Sequence, residues 1–407
     1  MSLLDRLART FPALTVREFR LFFTGQFVSL TGTWMQVVAQ GWLVLQLTNS
    51  PFLVGLVSAL GSLPILLFTL YGGVVADRVD RRRALILLQS LMLLEALVLA
   101  SLTASGHVTA GWVMLLAVVA GTLSAFEVPI RQSFLLEMVG RDHLMNAIAL
   151  NSSNFNLTRI VGPALAGALI ATAGLAACFF ANAASFLAAI GALLRIAPRR
   201  PARPADPDRR PSFWEGVRYA MGQAEPRALL LLTAAFSIFG FSFIPMLPVY
   251  ARNELGTGAA GYGGLLSAVG IGASLGALGV AAFGHRFPPR RLILAAGYTF
   301  GASLCLAWFG PSYGPSALLF AAAGCAMILN NITANTLLQS RSPDHLRGRV
   351  MGFYSLMVLG MAPFGSFQAG WVAEHFGVRV AMLMGGLVCV AATLVTVRGG
   401  SQRYGDR

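Results

Sequence analysis

The sequence predicts an all-α membrane protein: twelve transmembrane helices in two six-helix halves, both termini cytoplasmic. Three observations lead there. Twelve long apolar stretches fill most of the 407 residues, and a bilayer core ~30 Å thick needs about 20 apolar residues of helix to cross it. Arg residues collect in alternate connections between the stretches, the asymmetry that sets orientation in a membrane. Features of the first half recur in order in the second: Asp142-His143-Leu144 returns as Asp344-His345-Leu346.

Composition supports the same class. Charged residues make up 11% of the chain and hydrophobic residues 56%, where a soluble domain carries roughly 25% charged residues. In the bilayer core only helices or closed barrels satisfy every backbone hydrogen bond. The net charge of +14 comes with no Lys at all, and its Arg sit between apolar spans, not on a soluble basic face. Nucleic acid is therefore excluded as a partner. Cys178, Cys305, Cys325 and Cys389 all fall within apolar stretches, so neither a metal set nor a disulfide framework is expected. The first stretch follows Arg17 and Arg20 and is too long for a cleaved signal.

In order, the first-half spans are 20–47, 52–76, 83–104, 110–131, 144–171 and 174–194. The second-half spans are 226–250, 260–284, 290–310, 314–338, 348–372 and 377–397. The halves occupy residues 1–196 and 226–407. Between them, 197–225 is an Arg-, Pro- and Asp-rich linker that cannot bury an apolar face. It ends in a short amphipathic helix beginning at Phe213-Trp214, expected at the membrane surface. One side collects Arg6, Arg9, Arg17 and Arg20, then Arg78, Arg81, Arg82 and Arg83, Arg141, the linker Arg, Arg286, Arg290 and Arg291. Arg341, Arg347, Arg349, Arg398, Arg403 and Arg407 complete it. The other side holds Arg252 and Arg379.

Ionisable residues inside spans are costly and point to function. Glu95 lies in the third span, Glu127 in the fourth and Arg159 in the fifth. Glu127 can pair with Arg131 at i, i+4, either as a structural latch or as a proton carrier. Glu127 is the leading candidate for proton coupling and Glu95 the second, with plain packing as the alternative for Glu95. Neutral polar stripes mark a substrate cavity: Thr33, Gln36 and Gln40; Asn151, Phe155 and Arg159; Asn331, Asn335 and Gln339; then Tyr354 and Gln368. The same residues can serve as hydrogen-bond glue between helices. The five His stand near helix ends or in loops, with no metal or triad spacing, and no phosphate-binding loop exists. No enzyme activity, cofactor or metal is expected.

The connection after the second span reads Gly73-Val74-Val75-Ala76-Asp77-Arg78-Val79-Asp80-Arg81-Arg82-Arg83. It resembles the signature loop of the major facilitator superfamily, with Asp80 where that family usually has Gly. The resemblance extends over the whole chain through the repeat, the linker and the loop. Ser29 to Gln36, Asn151 to Gly167, Leu247-Pro248 and Gly261-Tyr262-Gly263 resemble the efflux branch that contains enterobactin exporters. Gly162, Pro163 and Gly167 are similar to the motif that marks antiporters in the superfamily, with a packing kink as the alternative. The resemblance implies a monomeric inner-membrane secondary transporter, exporting a small organic molecule in exchange for protons. Its site would lie between halves that rock against each other. Uptake on the same fold, or a non-transporting scaffold or sensor, are the alternatives. The resemblance also implies a cytoplasmic gate formed by Gly73, Asp77, Arg78, Arg81, Arg82 and Arg131 with Arg347 and Arg349.

Overall fold

The computed structural model describes residues 11–140, 142–197, 213–309 and 312–401. Arg6, Arg9, Arg141, Arg403, Arg407, the side chain of Arg398 and most of the expected linker lie outside the described residues.

The described chain is all-helical. Its first part runs α1 (Arg17–Thr48), α2 (Pro51–Ala76), α3 (Arg81–Ala104), α4 (Ala110–Val139), α5 (Leu144–Ala173) and α6 (Leu175–Arg195). After a surface helix, α7 (Phe213–Gly222), come α8 (Ala224–Ala235), α9 (Phe243–Asn253), α10 (Ala259–Phe283) and α11 (Pro289–Leu306). The chain ends with α12 (Tyr313–Arg341), α13 (Asp344–Leu359), α14 (Ala362–Phe376) and α15 (Val378–Ser401).

Local chemistry sets the boundaries. Ser50 accepts a hydrogen bond from Leu53 N at 3.2 Å and Asp80 from Arg83 N at 3.0 Å, capping α2 and α3 at free backbone amides. Asp80 thereby gives a reason for the departure from Gly in the loop. Gly140, Gly174 and Gly377 end α4, α5 and α14 at φ values of 71°, 84° and 90°, a region a β-carbon disfavours.

Ten helical stretches are long and apolar enough to cross a membrane among the described residues. The other two expected spans fall on α1 and α11, which are helical but do not meet that measure. Along α1, Gln26, Ser29, Thr33, Gln36 and Gln40 interrupt the apolar run, and α11 is 18 residues long with Arg290 and Arg291 in its first turn. Two expected spans are also not continuous α-helix. Phe236–Gly240 is a π-helical turn between α8 and α9, and Pro245 leaves the carbonyl of Phe241, the residue next to that turn, without its amide donor. Gly360 and Met361 separate α13 from α14, with Pro363 in the first turn of α14. Proline lacks an amide donor and crowds the carbonyl four residues earlier, so both interruptions fall where the ladder is already lost.

Consecutive helices alternate in direction, which gives the bundle two ends. The Asp77 end also carries the start of α1, the end of α6 and the start of α13. The opposite end carries the turns after Thr48, Asn253 and Phe376. α1 to α6 pack mainly on one another, as do α8 to α15, and the two groups meet along α2 with α14 and α5 with α10.

Small residues make those two seams. A β-carbon on Gly55 would lie 2.5 Å from Ser366 O and 2.8 Å from Gly370 Cα. On Gly263 it would strike Pro163 O, with Gly167 Cα at 3.1 Å. Close backbone approach of this kind is how helices associate where apolar burial gives no net drive.

Candidate functional site

A cavity of about 450 Å³ lies among α1, α2, α3, α4, α5 and α6, with Ile244, Pro245 and Tyr262 closing it from the second group. It follows α1 from Gln26 to Val44, about 27 Å at 1.5 Å per residue. Thr33, Gln36, Gln40, Phe155, Glu95, Glu127 and Arg131 all line it. The i, i+3, i+7 spacing on α1 put three of them on one helical face, and that face is turned to the cavity.

The two acids have different partners. Glu127, 7% exposed, accepts a hydrogen bond from Arg131 Nε at 2.9 Å, so the expected i, i+4 pair is formed within α4. Glu95, 6% exposed, has no cation within ion-pair distance among the described residues. Gln36 Nε2 donates to both of its oxygens, at 3.2 and 3.1 Å. Gln36 Oε1 in turn accepts from Asn182 Nδ2 at 2.7 Å, and Asn182 Oδ1 accepts from Ser185 Oγ at 3.2 Å. The chain of amides thus ties α3, α1 and α6 together on the cavity wall. Glu95 is not simply packed against a neighbour. Asn182, Ser185 and Gln89 were not singled out from the sequence; an amide or hydroxyl inside an apolar span was the available signal.

Other expected cavity residues lie elsewhere. Arg159 is 8% exposed, and its guanidinium stands 6.0 Å from the centre of the Trp34 ring. Trp34 also meets Phe155 edge-on at 5.9 Å. Asn151, Asn331, Asn335, Tyr354 and Gln368 are not among the residues lining this cavity. Asn335 Oδ1 is taken by Gln339 Nε2 at 2.5 Å, and Tyr354 donates to Asn331 O at 3.0 Å, so these polar groups bind one another. Gln368 is held in the protein with both side-chain polar atoms unpartnered.

The loop after α2 does two things. Arg81 donates to Ala76 O at 3.1 Å and to Glu137 Oε2 at 3.1 Å. Arg82 donates to Leu193 O at 2.7 Å and Leu194 O at 3.0 Å. Both cations therefore sit on helix C-termini, where the unsatisfied carbonyls favour positive charge. Asp77 and Arg78 are exposed. Arg349 pairs with Glu215 of α7, while Arg347 binds Asp344 at 2.6 Å and Gln339 O at 3.0 Å. A β-carbon on Gly73 meets nothing within 4 Å, and the close approach expected there is made by Gly72 against Ala125 O.

At the opposite end, contacts cross between the two groups. Glu374 Oε2 accepts from Ser50 Oγ at 2.8 Å and Phe52 N at 3.0 Å, and Arg252 donates to Leu45 O at 3.1 Å. Deeper in, Ser267 donates to Ile160 O at 2.9 Å and Trp42 stacks on Tyr262 at 6.3 Å. Gly162 packs on α1, its β-position 2.5 Å from Trp34 Cβ, while Pro163 and Gly167 face α10.

A largely apolar cavity with acids and amides set on its wall, inside a two-group helical bundle, suits a membrane transporter, and known proteins point the same way. The chain belongs to the transmembrane secretion effector family of the major facilitator superfamily, whose model matches residues 8–401. It is a multi-pass transporter of that type. The multidrug efflux pump Tap of Mycolicibacterium fortuitum is 31% identical over 376 residues, 88% of this chain and 90% of its own length. The staphyloferrin A transporter of Staphylococcus aureus is 24% identical over 92% of this chain and 94% of its own. The enterobactin exporter EntS of Citrobacter koseri is 27% identical over 98% and 94%. Among solved structures, a bacterial homologue of the lysosomal transporter Spinster superposes with a TM-score of 0.78 at 14% identity, covering 96% of this chain and 99% of that one. A bacterial homologue of ferroportin does so at 0.71 and 16%, covering 98% and 100%. These two likenesses concern the fold.

Proposed function

We propose that the protein exports a small organic molecule across the bacterial inner membrane in exchange for protons, by rocking two six-helix halves around the cavity. The observation that carries this reading is Glu95. It is a membrane acid on the cavity wall, held only by amide hydrogen bonds. A buried carboxylate without a cation is costly unless it is hydrogen-bonded or protonated. Glu95 can therefore change its charge state as water and substrate enter and leave. Glu127 shares its helix with Arg131, so the pair moves as one body and keeps its charges matched. We assign the proton to Glu95 and a positioning role to Glu127.

The relatives' names support a drug- or siderophore-like cargo, and the Arg distribution supports cytoplasmic termini. With the Asp77 end cytoplasmic, the contacts at Glu374 and Arg252 seal the outer face, and this conformation faces inward. The protein acts as a monomer in this reading.

The test is transport by purified protein in vesicles, with and without an imposed pH gradient, against a panel of drugs and siderophores. Accumulation should follow the gradient in the export direction. Glu95→Gln, which fixes a neutral amide, should abolish accumulation while downhill exchange persists. Glu127→Gln should lower both modes together. Gradient-driven accumulation that survives Glu95→Gln would remove Glu95 from coupling.

A further inference from the structure

Arg159 is a buried cation with no anion within ion-pair distance among the described residues. None of the seven ion pairs among the described residues includes it. Its Nε is buried with no acceptor, and the aromatic face of Trp34 is its neighbour. A cation–π contact recovers only part of what it costs to bury an unpaired charge. The membrane acids lie on other partners: Glu127 on Arg131, Glu95 on Gln36.

Its position is equally specific. The backbone of Arg159 lies on the seam between α5 and α10, since a β-carbon on Gly270 would lie 3.0 Å from Arg159 O. One turn nearer the Asp77 end, Phe155 lines the cavity and touches the same Trp34 ring. Thr33 and Val37, which flank Trp34 on α1 to either side, line the cavity too. Arg159 thus shares the Trp34 ring with Phe155 of the cavity wall, and its Nε is without an acceptor.

We propose that Arg159, backed by Trp34, binds an anionic group of the transported molecule, a carboxylate or a comparable planar oxyanion. This rests on the transporter reading above and narrows its substrate class. The guanidinium offers Nε–H and an Nη–H side by side, the geometry that takes a two-oxygen anion bidentately. Phe155, on the cavity wall, supplies flat apolar surface for the body of the same molecule.

The first measurement uses wild-type protein purified in nanodiscs and two probes of one shape, 1-naphthoate and its neutral amide 1-naphthamide, in equilibrium dialysis. Naphthoate should bind about tenfold tighter or more, the weight of one charge-assisted hydrogen-bonded pair. Arg159→Gln should erase the preference and Arg159→Lys should keep part of it. Equal binding of the two probes by wild type, or a preference that survives Arg159→Gln, overturns the proposal.

A second measurement remains informative if Arg159→Gln folds poorly. In a Cys-free background carrying Phe155→Cys, thiol reagents of opposite charge, sulfonatoethyl and trimethylammoniumethyl methanethiosulfonate, should react in a ratio favouring the anion. Naphthoate should protect the thiol and naphthamide should not. Protection by both alike overturns the proposal. Failure of the transporter reading is read separately, as absence of wild-type transport in the vesicle panel.

Discussion

The two ends of this bundle are built from similar helices but held in opposite ways. At the end that carries Thr48, Asn253 and Phe376, the first and second groups of helices grip each other directly. Gly55 lies on Gly370, Phe52 meets Phe367 at 5.5 Å, and Glu374 takes both Ser50 and the amide of Phe52. At the Asp77 end the charged residues are satisfied within their own group. Arg81 and Arg82 bind α2, α4 and α6, and Arg349 binds α7. One end is sealed by backbone contact that tolerates no added atom; the other is held by side chains that can exchange partners. If the halves rock as proposed, the tightly packed end would set the resting state, and the exchangeable charges would set how readily it is left.

The strongest way to break the contrast is Gly55→Leu. The new side chain has no space against Ser366 O and Gly370, and overpacking a tight contact costs typically about 1–3 kcal/mol. A cost of 3 kcal/mol shifts a two-state population by more than about 100-fold. A Cys at Ser58, which lines the cavity near that seam, should become reactive to an impermeant thiol reagent from the sealed side, and transport should be lost. An unreactive Ser58→Cys in that background would mean the seam does not hold the sealed state.

Glu374→Ala should act in the same direction with less force. It removes one acceptor from two donors, but at an exposed position where water replaces it. We expect a few-fold rise in Ser58→Cys labelling from the sealed side, with the protein level unchanged. Equal labelling with and without Glu374 would confine the seal to the glycine contacts.

How far the sequence foretold this division is uneven, and the reasons are physical. Spans follow from length and hydropathy, so α2, α3, α5 and α6 match the expected stretches within two residues, while α4 runs eight residues past the expected end at 131, to Val139. Faces follow from helical spacing, so Thr33, Gln36 and Gln40 point together. What spacing cannot supply is the neighbour. The stripe Asn331, Asn335 and Gln339 shares one helical face as the α1 stripe does, yet it lies off the cavity, with the amides of Asn335 and Gln339 bonded to each other. Glu95 has a depth in the sequence but no direction, and only the packing of α3 against α6 brings it to the cavity wall beside Gln36. Likewise no pattern in the loop of Asp77 reveals that Arg349 is held by Glu215, nearly the length of the second group away in sequence. The breaks at Phe236–Gly240 and Gly360 were legible in principle from Pro245, Pro248 and Pro363, but a hydropathy window averages across them.

The smallest expected effect is the most informative about the exchangeable end. Arg349 is paired with Glu215 while Asp77 stands exposed on the loop after α2. In the proposed mechanism the two acids would compete for this one cation: Glu215 would hold it while the Asp77 end is apart, as here, and Asp77 would receive it when the ends of α2 and α13 come together. Glu215 is 59% exposed at its side chain, and exposed ion pairs contribute about 0–1 kcal/mol. Glu215→Gln should then raise the fraction closed at the Asp77 end by no more than about fivefold. Asp77→Asn should lower it by a similar factor and impair transport without loss of protein. The populations can be read by double electron–electron resonance between spin labels on Arg78→Cys and Arg347→Cys, with the two acid substitutions made singly and together. Opposite shifts that cancel in the double variant are the expected result. Shifts of the same sign, or none in Asp77→Asn, would mean that Arg349 does not pass between the two acids and that the loop acts only by capping α2 and α6 through Arg81 and Arg82.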